Sequence, residues 1–323
     1  MQDGISTTPI VIFAFNRPDT LKRVLASLLK CENLHGNESA RKIYAFVDGP
    51  RNDGDLEKTS QVRKLLEDFR SCYCSDMEIV CRERNYGCEK NIPCGISQVL
   101  DTHGRAIIVE DDILVSRYFL NYMDRALELY EGNPKIWCIN AWRCRFVKIP
   151  RGFCHDVYLN NRNMCWGWGT WKDRFAAVDF AMRDWKDFIA RPENADAVDA
   201  AGLGLRGMID SQDAGRLNTW DVQCSYHMIK NKLWAVEPRL AMTKNIGSCC
   251  GVHNQSARRD PIEAKIKFWN FNPSLELGVE PDERIVKQFR CAYFNPSLMA
   301  RAWRKFKRGL MRFAPDCDDP LPV

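Results

Sequence analysis

Residues 106–116 read Ala-Ile-Ile-Val-Glu-Asp-Asp-Ile-Leu-Val-Ser. Ala106 to Val109 is a short apolar run of the length of a buried strand, and it ends in three consecutive acids. Working outward, the same pattern recurs upstream. Pro9 to Phe15, Ile43 to Val47 and Met77 to Cys81 are strand-sized apolar runs. Between them lie helix-like segments: Asp19 to Leu29, with Leu21, Val24, Leu25 and Leu28 at helical spacing, then Leu56 to Phe69, and Asn91 to Leu100. Short apolar strands separated by amphipathic helices predict βαβ units, hence an α/β fold with a mostly parallel, Rossmann-like sheet flanked by helices.

In such sheets ligands bind at the carboxyl ends of the strands. Those ends carry Asn16-Arg17, Asp48-Gly49-Pro50, Arg84-Asn85-Tyr86-Gly87 and Glu110-Asp111-Asp112, so polar groups gather on one rim. Neither GxGxxG after the first strand nor GxxxxGK[ST] occurs, which excludes the usual dinucleotide and P-loop signatures. Adjacent acids at a strand end repel one another, and a divalent cation removes that penalty. Asp112 and its neighbours are therefore candidates to hold Mg²⁺ or Mn²⁺ through one or two carboxylates, with water and substrate phosphates completing the shell. A solvated acidic turn is the plainer alternative.

Beyond Ser116 the pattern changes. A helix to Tyr130 and a strand from Ile136 to Ala141 precede an irregular, aromatic-rich stretch containing Cys165-Trp166-Gly167-Trp168-Gly169-Thr170-Trp171. Arg191 to Thr219, rich in Ala, Gly and Asp, reads as a surface excursion. Asp221 follows Trp220 and begins a helix-like run to Lys230.

Composition narrows the class further. The 323 residues are 45% hydrophobic and 28% charged, the balance of a folded globular protein. The net charge of +5 is concentrated at the end, since residues 256–323 hold 13 Lys and Arg against 9 Asp and Glu. A nucleic-acid enzyme spreads positive charge over its main domain, so no nucleic-acid partner is expected. The fifteen cysteines are odd in number, without CxxC spacing, and fit free thiols in a reducing cytoplasm. No basic n-region with an apolar core opens the chain, and no apolar run approaches the roughly 20 residues of a membrane span.

The order of these landmarks carries a resemblance. The run IVEDDILVSRYF, a helix, Trp137-Cys138-Ile139-Asn140-Ala141-Trp142, the WGWG segment, Trp220-Asp221, Asn245-Ile246-Gly247 and Gly251-Val252-His253 resemble, over residues 9–255, the GT-A glycosyltransferases of the N-acetylglucosaminyltransferase I type and their bacterial relatives. The resemblance implies Asp112 as metal ligand and Asp111 toward the ribose or base. It also implies Asn16, Arg17, Asp48, Arg84 and Asn85 around the nucleotide, Asp221 as catalytic base, and His253 as a second metal or phosphate contact. Trp142, Trp166, Gly167, Trp168 and Trp220 would form the sugar or acceptor surface, one or two of the indoles stacking on a sugar. The implied reaction is metal-dependent, inverting transfer from a nucleotide sugar, UDP-linked and with N-acetylglucosamine a reasonable sugar, to a hydroxyl of a glycan or lipid-linked acceptor. Two alternatives are a sugar-nucleotide pyrophosphorylase, disfavoured because Asn16-Arg17-Pro18 replaces a glycine-rich basic loop, and a catalytically silent glycan-binding module.

This divides the chain into a catalytic domain over residues 1–255, with a nucleotide-binding half at 9–115 and an acceptor half at 116–255, and a helical extension over 256–323. Within the extension Met299, Trp303, Phe306, Leu310 and Phe313 share one helical face, amid six cations from Arg301 to Arg312. Such a stretch reads as a peripheral contact with an anionic membrane through residues 299–313, on its cytoplasmic side.

Overall fold

A computed structural model describes residues 7–34, 41–144, 146–202, 204–247 and 270–292. Its centre is an eight-stranded sheet whose first half is the expected parallel unit. In chain order β1 is Ile10–Ala14, α1 Pro18–Leu28, β2 Ile43–Val47, α2 Asp53–Tyr73, β3 Met77–Cys81, α3 Gly87–His103 and β4 Arg105–Glu110. The strands lie side by side as β3-β2-β1-β4, all parallel, with Ile10 opposite both Ile43 and Ile107. Every residue of β1 and β2 is buried, which is why both read as unbroken apolar runs. Pro18 opens α1, where its missing N–H costs nothing, and Leu21, Val24, Leu25 and Leu28 form its buried face. Asn52 caps α2 by accepting the Gly54 N–H at 3.0 Å.

The second half is mixed. β5 is Ile113–Val115, α4 Phe119–Tyr130, β6 Ile136–Asn140, β7 Val157–Asn160, β8 Trp168–Trp171, α5 Lys172–Ala176, α6 Trp185–Ile189, α7 Pro192–Ala200, α8 Leu205–Asp213, α9 Asp221–Lys230, β9 Trp234–Pro238, β10 Thr243–Asn245 and α10 Glu283–Ala292. The sheet continues from β4 as β8-β6-β9-β7, and β5 pairs separately with β10. Parallel pairs still outnumber antiparallel ones in the large sheet, which gives it its mostly parallel, helix-flanked character.

Two expectations are corrected here. The aromatic stretch is not irregular throughout: Trp168–Trp171 is β8, a central strand antiparallel to β4 on one side and β6 on the other. Gly169 makes this possible, because a Cβ there would stand 3.0 Å from both the Ala106 carbonyl oxygen and Leu127 Cδ1. Nor is 191–219 a mere surface excursion. Its α7 and α8 bury Val198, Leu205 and Ile209 against Val222, Tyr226 and Ile229 of α9. The part of the extension within the described residues also packs on the domain: Ile285 and Phe289 of α10 join Trp142 and Tyr158, and Tyr130 donates to the Glu276 carbonyl at 2.7 Å. The basic stretch at 299–313 lies outside the described residues. Among those residues no helix is long and apolar enough to cross a membrane, and all their cysteines are free thiols.

Candidate active site

The carboxyl ends of β1, β2 and β4 open into a cleft of about 770 Å³, closed on the far side by Trp166, Met208 and the segment from Leu217 to Asp221. Its floor is an ionic cluster. Arg17, just before α1, donates through Nη1 to Asp112 Oδ2 at 2.7 Å and through Nη2 to Asp111 Oδ1. Asp111 also accepts the Phe15 N–H at 3.2 Å, tying the end of β4 to the end of β1. Burial pushes the Asp111 carboxyl up to about 6, while the Arg17 charge pulls it back. Burial opposes the Arg17 charge, but the two flanking carboxylates outweigh it and hold the guanidinium protonated.

Glu110 is a member of the cluster whose role the sequence reading missed. β4 alternates, so Glu110 falls on the face of Ala106 and Ile108 and lines the cleft, where no hydrogen bond from the described residues meets its carboxyl. Burial and then the nearby Asp112 charge raise its pKa well above the ordinary range. The signal was available, because strand alternation alone separates Glu110 from Asp111.

Asp48 lines the cleft and is held by several donors. Its Oδ1 accepts the N–H groups of Gly49 at 2.9 Å and Tyr86 at 2.7 Å, and its Oδ2 accepts Gly87 N–H at 2.9 Å and Asn85 Nδ2 at 3.1 Å. With these donors in place the carboxylate is largely saturated, and it pins the turn that starts α3. Gly49 is required there, since a Cβ would stand 2.3 Å from the Arg84 carbonyl carbon. Asn85 lines the cleft beside Asp48, whereas Arg84 is exposed and outside the lining. Asn16 also lines the cleft but spends its amide on Asp55, which accepts it at 2.6 Å together with the Arg51 guanidinium at 2.8 Å.

The tryptophans divide. Trp166 and Trp220 line the cleft. Trp142 and Trp168 do not: they are 1% and 0% exposed and belong to the core. Trp168 is sandwiched between Trp137 and Trp220 at centroid distances of 5.7 and 5.5 Å, and Trp142 meets Trp166 edge-on at 4.8 Å. Gly167 is outside the cleft lining, with a φ of 83° and room for no Cβ beside Thr243. Asp221 lines the cleft as the first residue of α9, and Thr219 donates its hydroxyl to Asp221 Oδ1. Trp220, not Asp221, holds the helix-capping position. His253 lies outside the described residues.

Asp112 is the donor that a divalent cation would find free in this set. Arg17 occupies one oxygen of Asp112 and leaves Oδ1 without a hydrogen-bonding partner among the described residues. Glu110 and Asp221 line the same cleft, Glu110 as a carboxyl that burial holds toward its protonated form. No group of three or more metal-type side chains among the described residues closes on an ion. The fit is to a largely hydrated ion on one carboxylate oxygen, the kind of site that substrate phosphates complete.

Sheet order, acidic strand end and cleft are those expected of a GT-A-like glycosyltransferase. Residues 1–148 match the GNT-I family, 148 of the 323 residues, so the expected resemblance holds for the nucleotide-binding half and the start of the acceptor half. Among solved structures the chain is similar to the mannosyltransferase PcManGT from Pyrobaculum calidifontis in complex with GDP-Man and Mn²⁺, at 12% identity and a TM-score of 0.35, covering 52% of this chain and 45% of that one. It is also similar to S. aureus TarS at 11% identity and a TM-score of 0.34, covering 50% of this chain and 28% of that one. The chain thus spans less than half the length of either, and neither superposition is close enough to transfer a ligand or substrate to it.

Proposed function

We propose that the protein transfers a sugar from a UDP-linked nucleotide sugar, with N-acetylglucosamine as the sugar, to a hydroxyl of a glycan or lipid-linked acceptor, with inversion at the anomeric carbon. The observation that carries this reading is the placement of Asp112 and Asp221 in one cleft, the first at the end of β4 and the second at the start of α9. Asp112 would hold Mn²⁺ or Mg²⁺, which supplies charge neutralisation for the departing diphosphate. Asp221 takes the proton of the acceptor hydroxyl as its oxygen bonds to the anomeric carbon, and the bond from that carbon to the diphosphate oxygen breaks. Arg17 keeps the acidic floor from repelling an anionic donor. Trp166 and Trp220, which line the cleft, would contact the sugar or acceptor. His253 would add a metal or phosphate contact. The basic stretch at 299–313 would hold the enzyme to the cytoplasmic face of an anionic membrane, each cation near the surface adding about 1 kcal/mol.

The test is a panel of nucleotide sugars incubated with Mn²⁺ and followed for release of the nucleotide, with UDP binding measured in parallel by calorimetry. Mn²⁺-dependent UDP binding that Asp112→Ala abolishes supports the reading. Equal UDP affinity for Asp112→Ala and the parent in Mn²⁺ overturns the metal assignment. For the membrane contact, truncation after Asn295 should end co-sedimentation with anionic liposomes at low salt; parent protein left in the supernatant refutes it.

A further inference from the structure

Thr219 has every polar atom committed, and the commitments come from both sides of the cleft wall. Gln212, in the last turn of α8, accepts the Thr219 N–H on Oε1 at 2.9 Å. Gln223, in the first turn of α9, donates from Nε2 to the Thr219 carbonyl at 2.8 Å. The peptide on either side of Thr219 is therefore clamped between two helices, and its hydroxyl is left to donate its single proton to Asp221 Oδ1. Gln212 is itself held, donating through Nε2 to Glu89 Oε1 of α3 at 3.0 Å. Gln223 is 1% exposed, and its own Oε1 has no partner among the described residues, so the Thr219 carbonyl is what its buried amide serves.

We infer that Thr219 is a positioning residue for the reaction proposed above: it holds one oxygen of Asp221 so that the other, Oδ2, is presented to the acceptor hydroxyl. The inference rests on Asp221 being the base. A carboxylate on a freely turning side chain samples many orientations, of which few place a lone pair on the acceptor proton; a hydroxyl fixed by two backbone clamps selects among them. A hydrogen bond to a charged group is strong enough to do this, and its loss is worth a rate effect of roughly 10–100-fold. Thr219 takes no proton and breaks no bond. It acts only through Asp221.

The experiment compares Thr219→Val, which keeps the shape and removes the hydroxyl, with Thr219→Ser, which keeps the hydroxyl, and with Asp221→Asn. Each is assayed for release of UDP from UDP-N-acetylglucosamine in Mn²⁺ with water as acceptor, or from whichever nucleotide sugar of the panel the parent hydrolyses fastest. Melting temperature and UDP affinity are measured on the same samples. We expect Thr219→Val to lose roughly 10–100-fold in kcat with donor KM and UDP affinity within twofold of the parent, and Thr219→Ser to recover most of the rate. Thr219→Val with parental kcat, beside an impaired Asp221→Asn, overturns the role of Thr219 and leaves the base in place. Equal losses in the valine and serine variants with a shared fall in melting temperature also overturn it, as a structural effect. Parental turnover by Asp221→Asn removes the base assignment and Thr219 with it.

Discussion

Arg17 and Asp112 meet at 2.7 Å across the floor of the cleft, the guanidinium reaching Asp111 with its other nitrogen. The carboxylate proposed for the metal is thus paired with a residue from the end of the neighbouring strand. The Arg17 side chain is 20% exposed and the Asp111 side chain 2%, so removing the arginine strands a buried charge. Breaking such a pair costs about 3–5 kcal/mol, and the partial exposure of Arg17 places this one at the lower end. Arg17→Ala should therefore lower the unfolding free energy by about 3 kcal/mol in urea denaturation. Adding Asp111→Asn should return part of it, because the stranded charge is gone. A single mutant as stable as the parent would mean that the pair does no structural work.

Gly247 gives a second test of the same floor. A Cβ on it would lie 2.0 Å from Asp112 Oδ2 and 2.9 Å from Arg17 Nη1, and the neighbouring Ile246 N–H is bound to the Asp112 carbonyl at 2.8 Å. Gly247→Ala must therefore push either the carboxylate or its own loop aside. The expected result is a loss of Mn²⁺-dependent UDP binding of tenfold or more, with a small change in melting temperature because the clash falls on a cleft wall and not in the core. Unchanged UDP affinity would show that the loop moves freely.

How much of this was legible depends on the range of the forces involved. β1 to β4 were readable because each is a short apolar run whose flanking helices show their own period, and Ile43–Val47 and Met77–Cys81 appear with the expected bounds. β8 was not, because Trp168–Trp171 is four residues long and its pairing partners, at 105–108 and 138–140, are far away in sequence. α7 and α8 hid behind small and acidic residues, with only Val198, Leu205 and Ile209 fully buried. In the site, like charges at a strand end are a local signal, so Asp111 and Asp112 could be found. The saturation of Asp48 by the turn at 85–87 and the clamp on Thr219 are made by residues brought from other elements, and no local pattern announces them.

The tryptophans show the same limit and give a third prediction. On either side of Gly167, Trp166 and Trp168 look alike in sequence, yet Trp168 stands in a stack with Trp137 and Trp220 while Trp166 lines the cleft. Trp168→Ala should cost about 3–5 kcal/mol of stability, the range for deleting a buried aromatic. Trp166→Ala should cost less in melting temperature and more in turnover. Denaturation and nucleotide-release assays on the pair check this, and equal destabilisation by both would contradict the division between core and cleft.

The last prediction uses a charge buried beyond the cleft. Glu237 on β9 is 0% exposed and accepts from Tyr158, from Asn160 at 2.7 Å and from Asn140 at 3.3 Å, with no cation in hydrogen-bond contact among the described residues, the Arg143 charge acting from farther off. Burial raises its carboxyl to about 7, the three hydrogen bonds drawing it back. The sign follows from linkage. A carboxyl whose folded pKa exceeds its unfolded value binds its proton more tightly in the folded state, so its contribution is intact below the unfolded pKa near 4.5 and is lost as pH rises through about 7. Above that, folding must carry an ionised group in the core. Glu237→Gln removes the titration and keeps an oxygen for the two asparagines and an amide that can donate to the Tyr158 hydroxyl. The melting temperature of the parent should accordingly fall relative to Glu237→Gln between pH 5 and pH 8, with the two closest at the acid end. A difference that stays constant over this interval would place the proton elsewhere, and one that widens toward acid would reverse the sign of the coupling.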